Sequence, residues 1–264
     1  MRVLFVIPHY IGPPSDPRVP ITQSNVWPVG RLLAIHSTLS TLHRNFGQYR
    51  HHCRSTAVPE ETEAHGVEHF HVVVLTQHEH HALDHLPLNP TLYETRFVDG
   101  PPLHIAFEAK RVFQERSEGY DFFVYLEDDI QIHDREFFRK LAWFQNEFGP
   151  AALLQPVRVE MSGRGLPVKA VIDCDLPPVS LAPFRREGQV TQLAATWNGL
   201  TRRFALPGNP HAAFHAVSAE QLRLWMDHRT FATDDTQWIG PMESAATAAL
   251  APVFDIYNTN PRSA

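Results

Sequence analysis

Apolar residues fall along the first half of the chain in short solid runs, with stretches of helical spacing between them. Arg2-Val3-Leu4-Phe5-Val6-Ile7 is β-branched and aromatic almost throughout and stops at Pro8. That pattern predicts a strand buried on both faces that opens into a loop. From about 25 to 49 the leucines, with Ala34, Ile35 and Phe46, recur at helical spacing. His71-Val72-Val73-Val74-Leu75 predicts a second strand, followed by a polar stretch over 76–85. Over 103–118, Ile105, Ala106, Ala109, Val112 and Phe113 share one helical face, prolines 101 and 102 stand where a first turn tolerates them, and Gly119 ends the helix. Residues 121–126 form another apolar run. Solid runs joined by helices are what a parallel sheet covered on both faces requires. The expected class is α/β, a Rossmann-type, mostly parallel central sheet flanked by helices.

The second half is less regular. A helix is expected over 136–148, strands over 153–159 and 168–172, and a loop over 177–187. Ser218-Ala219-Glu220-Gln221 has the form of a capping box, so a helix is expected from there through Trp225, entered by a strand at 214–217. Neither an internal repeat nor a low-complexity tract interrupts the pattern. The expected organisation is one domain over 1–264, with halves at about 1–134 and 135–264.

Composition narrows the function classes. The 264 residues are 43% hydrophobic and 20% charged, ordinary globular usage. Net charge is -6, and no lysine-arginine run is long enough to track a phosphate backbone, which argues against nucleic acid as partner. The apolar run before Pro8 is too short for a secretory leader and no segment reaches membrane-spanning length. A cytoplasmic protein is expected, with peripheral attachment at the inner membrane left open. Cys53 and Cys174 lack metal or redox spacing, which excludes a disulfide framework.

The candidate chemistry sits directly after the run ending at Leu126. Glu127-Asp128-Asp129 follows a buried strand, and ligands of parallel sheets collect at the carboxyl ends of strands. In extended chain, residues two apart project together, so Glu127 and Asp129 are expected to face one site and Asp128 to point away, toward a ribose or a backbone cap. Two converging carboxylates repel, and a hard divalent ion relieves the cost. Mg²⁺ or Mn²⁺ fits, with a diphosphate supplying further oxygens.

Phe122-Phe123-Val124-Tyr125-Leu126-Glu127-Asp128-Asp129-Ile130 resembles the strand and acidic DxD-type motif of glycosyltransferases with the GT-A fold. Ala109-Lys110-Arg111 stands where many such enzymes carry an Ala-Arg-Asn-like segment, with Lys110 for the usual Arg. Ile7-Pro8-His9-Tyr10 resembles the first-strand end that cradles the nucleoside, with Pro8 and Tyr10 as donor contacts beside Lys110 and Asp128. The likeness covers the first strand and about 99–134 well, and the rest in outline. It implies a metal-dependent transferase that moves a sugar from a nucleotide-diphospho-sugar to a carbohydrate or other hydroxyl acceptor, in glycan or polysaccharide biosynthesis.

The same resemblance places the catalytic base of an inverting enzyme at the start of a late helix, which selects Glu243 after Gly240-Pro241, with Asp235 and then Asp234 behind it. A retaining enzyme would not need this base. Trp197 and Trp238 are candidate acceptor platforms, since an indole stacks on sugar faces. His215 is the candidate extra ligand to metal or diphosphate, and His211 a weaker one. The His78-Glu79-His80-His81 stretch with His85 is polar enough to read as solvated surface.

Two other classes compete. A sugar nucleotidyltransferase shares a related fold and metal, but its glycine-rich, arginine-containing loop is poorly matched by Ile11-Gly12-Pro13-Pro14-Ser15-Asp16-Pro17-Arg18. A non-catalytic sugar- or metal-binding module would leave the acidic triplet and Glu243 without a common purpose.

Overall fold

A computed structural model describes residues 1–12, 28–47, 49–50, 61–62, 66–161, 169–171, 173–235 and 237–259. Cys53, most of the 11–18 loop and the ends of the 168–172 segment lie outside the described residues. The chain divides into two compact units, Met1–Ala142 with Ala216–Leu222, and Trp143–His215 with Arg223–Ala264.

The elements of the first half are β1 (Arg2–Pro8), α1 (Pro28–Phe46), β2 (Tyr49–Arg50), β3 (Glu61–Thr62), β4 (His69–Thr76), β5 (Glu94–Phe97), α2 (Glu108–Glu115), β6 (Phe122–Leu126) and α3 (Phe137–Phe148). Those of the second half are β7 (Ala152–Leu154), β8 (Val159–Met161), β9 (Lys169–Val171), α4 (Pro178–Leu181), β10 (Gln192–Trp197), β11 (Leu200–Ala205), β12 (Phe214–Ser218), α5 (Ala219–Met226), α6 (Pro241–Glu243) and β13 (Asp255–Tyr257).

A five-stranded sheet in the order β12-β6-β1-β4-β5 centres the first unit. β1 pairs in parallel with β4 and with β6, and β4 with β5. Every residue of β6 is buried, as a strand covered on both faces demands. Phe5 of β1 meets Phe46 of α1 and Phe138 of α3, with ring centroids 6.3 and 5.7 Å apart. On the other face Phe123 packs edge-on to Phe113 of α2 at 5.8 Å. The expected strands and helices are all present here, and the fold is the mixed α/β architecture that the pattern predicts.

Two features depart from the reading. The 103–118 helix begins as a 3-10 segment over Pro102–Phe107 before α2, and β5 was not foreseen. That edge strand is half-exposed, so it lacks the solid apolar run of its neighbours.

The second unit is assembled from two-stranded pieces. β10 and β11 form an antiparallel hairpin whose turn residues Asn198 and Gly199 have φ of 48° and 76°. A two-residue type I′ turn needs both in the left-handed region, and Asn-Gly is its preferred sequence. β13 pairs in parallel with β7, and β8 antiparallel with β9. Phe144, Ala152, Phe204 and Tyr257 make a buried cluster, backed by Trp143, Phe148, Leu154, Leu193 and Leu206. The expected 153–159 strand is two short ones, β7 and β8, and the expected 177–187 loop contains α4 and a 3-10 turn over Ala182–Phe184.

The capping box is present as read. Ser218 N–H donates to Gln221 Oε1 at 3.0 Å while Gln221 N–H donates to Ser218 Oγ at 3.2 Å, opening α5.

Candidate functional site

The sheet order locates where a ligand of this unit would bind. The chain leaves β1 for β4 on one side and returns to β6 on the other, so the strand order reverses between β1 and β6. Open α/β sheets bind ligands at the carboxyl edge of such a switch point. The residues that emerge there are His9 and Tyr10 after β1 and Glu127-Asp128-Asp129 after β6.

The acidic triplet is not extended. Ile130 N–H donates to Glu127 O at 3.1 Å, so a turn begins as soon as Leu126 leaves the sheet. Strand alternation ends with the strand, so the turn and not the pleat sets where the three carboxylates go. Asp128 points inward with 2% of its side chain exposed, while Asp129 is 49% exposed. Glu127 is intermediate.

Both carboxylate oxygens of Asp128 are engaged. His9 Nδ1 lies 2.5 Å from Oδ2, and the Arg31 guanidinium is ion-paired to Oδ1 through Nη2. Ala82 N–H donates to His9 Nε2 at 3.1 Å. His9 is therefore the tautomer with its proton on Nδ1, which it donates to Asp128. Burial, and after it the positive Arg31, lower the His9 pKa to about 3, so the ring is neutral. Arg31 Nη1 also reaches Asp129 Oδ2 at 3.4 Å, and its Nε is buried without a hydrogen-bond partner among the described residues.

Arg31 belongs to a polar row on α1. Thr38 Oγ1 donates to Asp128 O at 3.0 Å, Thr41 Oγ1 to Gln131 Oε1 at 3.2 Å, and Asn45 Nδ2 to Ile132 O at 2.6 Å. Residues 31, 38 and 45 are seven apart, two helical turns, so they share one face with Thr41. Reading α1 for apolar spacing alone missed this row. Buried polar residues at helical period within an otherwise apolar face were the signal that could have found it.

Tyr10 tilts against His80 with centroids 5.1 Å apart, and Ile11 N–H donates to His80 O at 2.8 Å. Of the loop histidines, His80 is thus integrated at the end of β1, and His78 stacks on Phe97 at 3.9 Å. Pro8 is a buried residue of β1. Lys110 is 5% exposed, with its ammonium 5.4 Å from the Phe107 ring centroid, so it is not a solvated helix residue.

The acceptor-side candidates belong to the second unit. Glu243 stands in the first turn of α6, and its Oε2 would lie 2.6 Å from any Cβ at position 240, so a side chain there would make the carboxylate shift. Ser244 Oγ accepts from Trp238 N–H at 3.2 Å and donates to Trp238 O at 3.0 Å, which pins the preceding loop to α6. Ile239, between them, has φ of 58°. A β-branched residue there is a genuine outlier, and such strain costs about 1–3 kcal/mol and concentrates at functional loops. Asp235 is exposed, with Oδ1 accepting from Gln237 N–H at 2.9 Å; Asp234 is partly buried.

Trp238 packs on Phe184 at 4.7 Å and donates Nε1–H to Ser180 O at 3.0 Å. Trp197 packs on Trp143 at 5.2 Å. Each indole is partly buried. His215, expected to extend a metal site, is enclosed instead. It is 4% exposed, its Nδ1 lies 2.9 Å from Ala246 O and so donates there, and burial lowers its pKa to about 4. His211 is held at 3.2 Å from Thr247 Oγ1, and burial, with Arg158 behind it, lowers its pKa to about 4. Both histidines brace the single π-helical turn Ser244–Ala248 that follows Glu243.

Among the described residues no group of three or more His, Cys, Asp and Glu side chains is arranged to hold a metal, and no helix is long and apolar enough to cross a membrane. Neither a family model nor a curated protein matches the chain. Among solved structures 18 chains match. One is CMP:2-keto-3-deoxy-manno-octonic acid synthetase complexed with CTP, at TM-score 0.34 and 11% identity over 86% of this chain and 78% of that one. A likeness of that size defines neither a family nor a function.

Proposed function

We propose that the chain is a transferase acting on a nucleotide-diphospho-sugar, and specifically a metal-dependent glycosyltransferase. The observation that carries the reading is the acidic turn Glu127–Asp129 at the switch point between β1 and β6, with Asp129 half-exposed. Mg²⁺ and Mn²⁺ commonly bind through one or two carboxylates and complete their shell with water and substrate phosphates. Glu127 and Asp129 fit that mode, and Asp128, with both oxygens engaged, does not. A metal that arrives with a diphosphate is thus compatible with the turn, and one held by protein alone is not. When bound, it would neutralise charge on the departing diphosphate.

The residues divide the remaining work. Tyr10, at the end of β1, offers a ring for the nucleoside. In a transfer the acceptor oxygen bonds to the anomeric carbon while the carbon–oxygen bond to diphosphate breaks and its electron pair leaves with the phosphate; within the second unit, Glu243 is the candidate base for the acceptor's proton. Trp238, partly exposed, is the candidate platform for the acceptor.

The test is a thermal-shift screen of the full chain against nucleoside diphosphates with and without Mn²⁺, followed by donor turnover. Binding at 100 times Kd stabilises by about 2.7 kcal/mol. The reading expects stabilisation that needs both components, loss of that effect in Asp129→Ala, and release of nucleoside diphosphate from the matching donor. Release of pyrophosphate from a nucleoside triphosphate and a sugar acid or sugar phosphate would make it a sugar nucleotidyltransferase instead. No response to any nucleotide would overturn both.

A further inference from the structure

Arg31 bridges the two acids of the turn unequally. Its Nη2 is committed to Asp128, which is almost wholly buried and whose other oxygen is held by a neutral His9. Withdrawing the guanidinium would leave a buried carboxylate without a counter-charge, which is strongly unfavourable, so that end of Arg31 is fixed. Its Nη1 stands 3.4 Å from Asp129 Oδ2, well outside the 2.7–2.9 Å of a strong charge-assisted bond. The same fixed cation therefore sits loosely against the exposed acid.

A divalent ion placed on Asp129 must compete with Nη1 for that carboxylate and is brought close to a guanidinium whose positive charge Asp128 offsets only in part. A diphosphate reverses the sign of the problem, because its oxygens can accept from Nη1 while they ligate the ion. We propose that Arg31 is an electrostatic gate on the acidic turn, which suppresses binding of a free divalent cation and lets it bind tightly only together with a diphosphate. The gate rests on the reading of that turn as the metal-diphosphate site. Its consequence is coupling: metal and diphosphate each raise the other's affinity by one reciprocal factor. Arg31 is a positioning residue toward the metal and a direct ligand toward the phosphate.

The test measures Mn²⁺ binding to the full chain by the electron paramagnetic resonance of free Mn²⁺, alone and with CDP, UDP, GDP or ADP in turn. Arg31→Met alone would orphan Asp128, so the working variant is Arg31→Met with Asp128→Asn, which removes both charges of the buried pair. Arg31→Lys keeps the charge without the fork. The double variant is expected to bind Mn²⁺ alone at least about fivefold more tightly than wild type, and to bind the effective nucleotide without metal at least about fivefold more weakly. Arg31→Lys is expected to keep the suppression. Wild-type affinity for free Mn²⁺ in the double variant, or gain of affinity in Arg31→Lys equal to the double variant's, overturns the gate. If wild type binds Mn²⁺ with nucleotide while the double variant is unchanged, the gate alone falls. If no Mn²⁺ binds under any condition, the metal-diphosphate reading falls with it.

Discussion

The two units hold their candidate residues by different means. In the first, strands distant in sequence pair in parallel, and the residues at their carboxyl ends are tied by side chains that cross from loop to loop, His9 to Asp128 and α1 to 128–132. In the second, the sheets are two-stranded, and the loop carrying Trp238 is tied beside the turn carrying Glu243 by contacts a few residues long, the reciprocal Ser244 bonds. The first scheme buries a charged pair to fix an acidic turn. The second stores strain at Ile239 and leans on neutral buried histidines. The lesson is that the first is sensitive to loss of charge partners and the second to protonation and backbone conformation.

Four measurements sharpen or break that contrast. Phe5→Ala, which removes the ring packed against both Phe46 and Phe138, is expected to lower stability by about 3–5 kcal/mol in denaturant titration; a loss under about 1 kcal/mol would mean that the sheet does not organise its unit. Asp128→Ala is expected to cost about 3 kcal/mol, because it strands Arg31 and His9, whereas Asp129→Ala changes stability by no more than about 0.5 kcal/mol. Equal effects at the two positions would contradict the division of the triplet into a structural acid and an exposed one.

The third measurement is pH. Folded His9 titrates at about 3 and His211 and His215 at about 4, all below the 6.5 of an unfolded histidine. As pH falls below 6.5 the unfolded chain takes up protons that the folded chain does not. Stability is therefore fully present above 6.5 and is lost toward pH 4, at up to about 1.4 kcal/mol per pH unit for each histidine. Two of the three lie in the second unit, so probes of Trp225, which meets His215 edge-on at 5.6 Å, should report loosening before probes of the sheet. The reverse order would count against the contrast. The last measurement is at the hairpin: Gly199→Ala meets open space, so its cost of about 1–2 kcal/mol is conformational, and a neutral result in thermal melts would mean the turn relaxes.

Much of the first unit was legible because a doubly covered parallel strand must be apolar at its buried positions, as β1 after Arg2, β4 over 72–75 and all of β6 are. The capping box was legible for a similar reason, since both halves of its bond are local. The Arg31–Asp128–His9 network was not, because its partners are set by tertiary packing and only a buried polar row on α1 hinted at it. Asp128 does stand apart from Glu127 and Asp129, but through its burial against His9 and Arg31 and not through alternation, which ends with the strand. His215 resembled a ligand by position alone; its burial depends on the π-helical turn, for which no sequence rule was available. Asn198-Gly199 was a readable hairpin signal that the emphasis on apolar runs passed over.

The imidazole of His9 has a further consequence, which concerns time. It joins a backbone group 73 residues away to a carboxylate 119 residues away, and Arg31 reaches 98 residues to Asp129. Such contacts return nothing until the intervening loops have closed, and loops of that length close only after nearer pairings have shortened them. The acidic turn is accordingly expected to form late in folding, after β1, β4 and β6 have found one another. A nascent or partly folded chain carries the triplet without the geometry, so any capacity to engage a diphosphate marks the finished fold.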